Sequence, residues 1–177
     1  MWLRKLLDAL GMRRNVGTGP EVRLKRAGVA DAPAVQELAA SFHNEHLEGW
    51  GENSSVSWTR QQVKAALQSP VHVAILALGD DLPVGFAAGL VATIGGVAKV
   101  GRIEAVYVLP GLRRTGVARR LVDRLIGDLV AIGAEDLELV VATQNVAARK
   151  FFATFGFADG DRVMACKYPQ GRREGEA

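Results

Sequence analysis

Three β-prone apolar runs, residues 71–78, 84–93 and 97–109, are separated only by the Gly79-Asp80-Asp81 cluster and the Gly95-Gly96 pair. Connections this short leave no room for a crossover, so the runs must be antiparallel neighbours in one sheet. Glycine and aspartate also accept the left-handed backbone that tight hairpin turns require. Beyond the third run, residues 116–132 carry helical periodicity and lead to another apolar run at 137–142. A helix of that length is a crossover and brings in one parallel strand pair. The expected fold is α/β, a single mixed, mostly antiparallel sheet with a central parallel pair, flanked by helices.

The other elements are shorter. Residues 22–27 alternate as a strand, and Asp31 with Pro33 starts a helix that the pattern supports to Ala40. The periodicity loosens over residues 41–57, Thr59 caps a helix to Gln68, and a helix at 146–155 precedes a last strand at 162–168. Trp2, Leu3, Leu6, Leu7 and Leu10 stand at helical spacing, followed by a linker to Pro20. Residues 1–20 are therefore an amphipathic extension that packs on its own domain, on a homodimer mate or on a membrane surface. Residues 21–169 make the folded domain, and 170–177 a polar, disordered tail.

A chain of 177 residues with 49% hydrophobic composition is long enough for one domain with a sizeable core. Cys166 is the single cysteine, which excludes an internal disulfide, and His43, His46 and His72 have no zinc-ligand spacing. No metal is expected. The longest uncharged stretch, residues 84–98, falls short of the ~20 residues of a spanning helix and contains glycines, so no membrane span is expected. With no secretory signal visible, the reading is a cytoplasmic protein.

Net charge is +3, but five arginines (113, 114, 119, 120 and 124) face one aspartate within a dozen residues. This is a concentrated anion-facing site rather than a diffusely basic surface, and it argues against specific nucleic-acid binding. It lies in Val106-Tyr-Val-Leu-Pro-Gly-Leu-Arg-Arg-Thr-Gly-Val-Ala118, where a strand turns through Pro and Gly into a helix. Such an entry leaves several backbone N–H groups unpaired and accessible to a phosphate. The segment matches neither the nucleotide-hydrolase loop nor the dinucleotide fingerprint. An ordinary glycine-entered helix with a solvated basic face would look the same.

Arg113-x-x-Gly116-x-Ala118 resembles the acyl-CoA pyrophosphate motif of the GNAT superfamily of N-acetyltransferases, Gln/Arg-x-x-Gly-x-Gly/Ala. Downstream, Asn145-x-x-Ala148-x-x-Phe151-Phe152-x-x-x-Gly156-Phe157 is similar to the second motif of that family. The element order agrees over about residues 22–168. The resemblance implies acetyl-CoA as cosubstrate and a splayed central parallel pair. It implies a pyrophosphate held by the backbone of Arg113, Arg114, Thr115, Gly116, Val117, Ala118 and Arg119. It also implies a pantetheine arm paired along Val106, Tyr107 and Val108 and met by Asn145. Asn145 could equally serve only to cap its helix, and Phe151, Phe152, Phe155 and Phe157 to fill the core.

Acetyl transfer to an amine requires removal of a proton from an ammonium group of pKa ~10.4. Glu104 is a carboxylate in an otherwise apolar strand, twelve positions before Gly116, where the resemblance places a general base. Many relatives protonate the departing thiolate with a tyrosine, but the matching position here is Phe152, which cannot donate. On strict strand alternation Tyr107 faces away from Glu104. Cys166 has no neighbouring histidine in sequence, so direct attack of the amine on acetyl-CoA is expected rather than an acetyl-cysteine.

For the acceptor, the resemblance points to His43, Glu45, His46, Glu48, Trp50 and Glu52 on one side and Asp159 and Asp161 on the other. An acidic, aromatic-bearing cleft of that kind suits a small cationic amine. A protein N-terminal or lysine acetyltransferase and a noncatalytic acyl-CoA-binding module remain alternatives.

Overall fold

A computed structural model describes residues 21–45, the backbone of 46–50, and residues 58–96 and 98–159. The amphipathic helix read in residues 1–10, its linker, the strand read at 162–168, Cys166 and the tail 170–177 lie outside the described residues. The chain divides after Leu137 into two compact units.

The first unit contains β1 (Val22–Arg26), α1 (Ala32–Trp50), α2 (Arg60–Gln68), β2 (His72–Gly79), β3 (Leu82–Ile94), β4 (Ala98–Val108) and α3 (Val117–Ala131). A fifth strand, β5 (Asp136–Leu139), follows. Sheet order is β1-β2-β3-β4-β5. The first four strands are antiparallel, and the return through α3 makes β5 parallel to β4.

The hairpins form where the short connections require them. Asp80 and Asp81 hold φ of 48° and 61°, Gly95 and Gly96 of 61° and 76°, so both turns put two successive residues in the left-handed region. Arg23 of β1 pairs with Asp81 at 2.8 Å across the first.

Every residue from Val73 to Gly79 is buried, because β2 is covered on both faces. Leu121, Leu125 and Leu129 recur every four residues, forming with Val122 the buried stripe by which α3 packs on β2, β3 and β4. On the opposite face lie Val35, Leu38 and Ala39 of α1 and Val63 of α2. Thr59 caps α2 as the sequence indicates, and the structure adds the reciprocal half of a capping box, with Gln62 N–H donating to Thr59 Oγ1 at 3.3 Å and Thr59 N–H to Gln62 Oε1 at 2.9 Å.

Several boundaries differ from expectation. α1 does not stop at Ala40 but runs to Trp50, because tertiary contacts replace the fading apolar stripe. Phe42 packs edge-on against Tyr107 with centroids 6.4 Å apart, and Glu45 meets Tyr107 and Arg113. Asp31 sits in a preceding 3-10 turn, where its carboxylate accepts Gly28 N–H at 2.9 Å and pairs with Lys25 at 2.8 Å. β5 ends at Leu139 rather than residue 142.

Gly89 of β3 packs against β4 so closely that a Cβ would stand 2.5 Å from the Arg102 carbonyl oxygen. Gly89→Ala must therefore push the two strands apart, and is expected to destabilise the fold by about 1–3 kcal/mol. Urea unfolding of both proteins measures it.

In the second unit, α4 (Val146–Ala153) is entered through Asn145.

Candidate active site

The register of β3 against β4 runs Ala88 opposite Ala105 and then Gly89 opposite Ile103, passing over Glu104. The skipped residue is a β-bulge, which leaves one residue out of the ladder and re-aims side chains on its strand. Glu104 thereby faces α1 and α2, lining a cavity of about 210 Å³ with Val35, Trp58, Val63, Leu67 and His72. Its carboxyl is raised above the usual value by desolvation against these apolar walls, offset in part by His72, when that imidazole is protonated, and by Arg102. The side chain still reaches solvent, so the carboxylate retains an exit for a proton.

The bulge also corrects the expected position of Tyr107. One extra residue inverts the alternation beyond it, so Tyr107 lies on the same side of the sheet as Glu104. Its ring meets Phe42 of α1, and its hydroxyl donates to Glu45 Oε1 at 2.6 Å. Burial, reinforced by the Glu45 carboxylate, pushes the phenol up to about 12. Tyr107 is thus a committed donor to Glu45.

Arg113 completes this group. Its guanidinium stands 5.5 Å from the Tyr107 ring centroid, pairs with Glu45 and donates through Nε to the Val108 carbonyl at 3.0 Å. Its backbone N–H donates to Pro110 O at 3.3 Å. Arg113 therefore braces the loop, and the open N–H array begins after it rather than at it.

Arg114 and Gly116 take left-handed backbone, φ 63° and 88°. Thr115 Oγ1 donates to Leu112 O at 2.6 Å, and Arg120 N–H to Gly116 O at 3.1 Å opens α3. Among the described residues, the N–H groups of Gly116, Val117 and Ala118 have no acceptor. They converge at the positive end of α3, a concavity that fits an anion. Outward on the helix, Arg119 stands 4.0 Å from Asp123.

In β4, Val106, Tyr107 and Val108 pair with Ala87, Phe86 and Gly85. Leu109 N–H donates to Val84 O at 2.9 Å, so by the alternation of strand N–H groups those of Val106 and Val108 point away from β3.

In the second unit, Asn145 caps α4 by accepting Ala148 N–H at 3.0 Å. Phe152 is buried, 5.1 Å from Phe151 and 5.9 Å from Phe157 between centroids. Asp159 pairs with Arg149. Of the acidic cleft expected for the acceptor, Glu45 and Asp159 are thus engaged by arginines. Glu52 and Asp161, with the side chains of His46, Glu48 and Trp50, lie outside the described residues. Sequence reasoning missed Trp58 and His72 as cavity residues, because no local pattern marks a side chain that tertiary packing brings to Glu104.

The acetyltransferase (GNAT) family model matches residues 35–157, a span holding Glu104, the Arg113–Ala118 loop, Asn145 and Phe152. The chain belongs to the GNAT acetyltransferase family. It is an acetyl-CoA-dependent N-acetyltransferase. No curated protein sequence matches this GNAT chain. Among solved structures it is similar to the aminoglycoside N-acetyltransferase AAC(6')-Iy in complex with CoA. The TM-score is 0.66 at 19% identity, covering 85% of this chain and 96% of that one. An aminoglycoside acetyltransferase from an uncultured soil metagenomic sample, in complex with sisomicin, gives 0.67 at 17% identity over 83% and 95%. A ribosomal-protein-alanine N-acetyltransferase from Brucella melitensis biovar Abortus 2308 gives 0.59 at 20% identity over 80% and 94%. At these identities the likeness is one of fold. Among the described residues no group of acidic, histidine or cysteine side chains could hold a metal, and no helix is long and apolar enough to cross a membrane.

Proposed function

We propose that this GNAT acetyltransferase moves the acetyl group of acetyl-CoA to the primary amine of a small cationic molecule, with Glu104 as general base. The observation that carries this reading is the bulge, which turns the one carboxylate of an apolar stretch of β4 into a cavity. The N–H groups of Gly116, Val117 and Ala118 bind the pyrophosphate, and those of Val106 and Val108 pair with the pantetheine arm. Asn145 and Phe152 contact the cosubstrate from the second motif. Glu104 takes the ammonium proton, and the amine nitrogen bonds to the thioester carbon while the Val108 N–H polarises its carbonyl. The C–S bond then breaks and CoA leaves as thiolate. Phe152 has no proton to give, and Tyr107 is held as a donor to Glu45, so the thiolate departs unaided. A thiol of pKa ~8.5 leaves well enough for that.

The test is release of free thiol from acetyl-CoA in the presence of primary amines. Thiol release that depends on the amine, with mass spectrometry finding the acetyl amide, is the expected result. No release with any amine or peptide, while calorimetry shows acetyl-CoA bound, would leave a noncatalytic acyl-CoA-binding module.

A further inference from the structure

The cavity beside Glu104 is mostly hydrocarbon and aromatic. Val35, Val63, Leu67, Val73 and Ala88 line it with the indole of Trp58, which packs edge-on against Phe86 at 6.3 Å. Among its described lining residues Glu104 is the one acidic group. A ligand carrying several ammonium groups would leave all but one of them without a counter-charge on these walls. A charge held against apolar walls without a partner gives up part of its hydration uncompensated. The cavity, about 210 Å³ and partly open to solvent, has room for a body the size of one ring.

Besides Gln62, whose Oε1 accepts the Thr59 N–H, His72 adds a polar element to the lining. It stands on the cavity wall, and its Nδ1 is shut off from solvent with no hydrogen-bond partner. A part-buried imidazole on a cavity wall, with a ring nitrogen that has no hydrogen-bond partner among the described residues, is available to hold a polar group of what enters.

We propose that the acceptor is a monoamine with an apolar body of about one ring, its nitrogen held between Glu104 and His72 and its body against Trp58, Val63 and Leu67. This rests on the amine-acetyltransferase reading above and narrows its substrate class. The glutamate takes one ammonium proton, the histidine holds a remaining N–H, and the freed lone pair is left for the thioester carbon. The apolar walls select the body by the area that they bury.

The test uses the full chain and three acceptors, 2-phenylethylamine, spermidine and kanamycin, with kcat/KM read from thiol release. The expected result is a preference of at least about tenfold for 2-phenylethylamine, the discrimination that a few buried methylenes provide. Ala66 of α2 also lines the cavity, so Ala66→Phe fills the space for the body. It is expected to raise KM for 2-phenylethylamine by about tenfold or more and leave KM for acetyl-CoA unchanged, which also reports an intact fold. A preference for spermidine or kanamycin, or an Ala66→Phe enzyme with unaltered KM for the monoamine, overturns this inference while the acetyltransferase reading stands. Failure of every amine with acetyl-CoA still bound overturns that reading, and the inference with it.

Discussion

Glu104→Gln is expected to lower kcat/KM for an amine acceptor by roughly 10²–10⁴-fold at neutral pH, the range a positioned general base contributes. CoA affinity should hardly change, because the proposed pyrophosphate and pantetheine contacts are to backbone N–H groups elsewhere. In wild type, activity climbs as pH rises through the Glu104 carboxyl, which desolvation lifts above its ordinary value. The glutamine enzyme loses that limb and follows deprotonation of the free amine, near pH ~10. The two profiles should therefore converge at alkaline pH. A mutant profile depressed equally at every pH would instead mark a structural or acceptor-binding glutamate.

The same shift has a consequence for stability. Because the folded carboxyl has the higher pKa, the native state binds its proton more tightly than the unfolded chain does. That advantage is fully present below the unfolded pKa and is lost as pH rises through the folded one. Above it the native state holds a partly desolvated carboxylate, which glutamine removes. Glu104→Gln should accordingly melt no lower than wild type at alkaline pH, and its relative gain should shrink in acid. Melting curves at both pH values decide this. A variant less stable than wild type at alkaline pH would show that the carboxylate supports the fold.

Gly116→Asp is expected to weaken CoA binding by about 100-fold or more, equivalent to roughly 2.7 kcal/mol. At φ 88° a side chain is strained even though open space surrounds the Cβ position. Aspartate tolerates this region better than most residues, and a carboxylate at a helix N-terminus is favourable for the helix itself. The fold should survive, with a negative charge set where the pyrophosphate would sit. Gly116→Ala carries more of the backbone strain and none of the charge, so it should lose much less affinity. Calorimetry on the two variants separates anion exclusion from distortion. Unchanged affinity in Gly116→Asp would remove the loop from the cosubstrate site.

Features governed by interactions between residues close in sequence were legible from the chain. Turns at Asp80-Asp81 and Gly95-Gly96 are set by local sterics, and they dictate the antiparallel meander. The Thr59 cap, the leucine stripe of α3 and the left-handed Gly116 likewise depend on neighbours within about a helical turn. The motif residues from Arg113 to Ala118 and from Asn145 to Phe157 carry the family for the same reason. A bulge belongs to two strands at once, and only the fit of β3 to β4 decided that Glu104 would leave the ladder and bring Tyr107 round to its side. The extension of α1 to Trp50 was hidden because its anchors are Tyr107 and Arg113, the latter 68 residues from Glu45. Which carboxylates remained free, and that Trp58 and His72 would face Glu104, were settled by packing. Side chains meet across a core according to the register and crossing of whole elements, and no window of sequence contains that information.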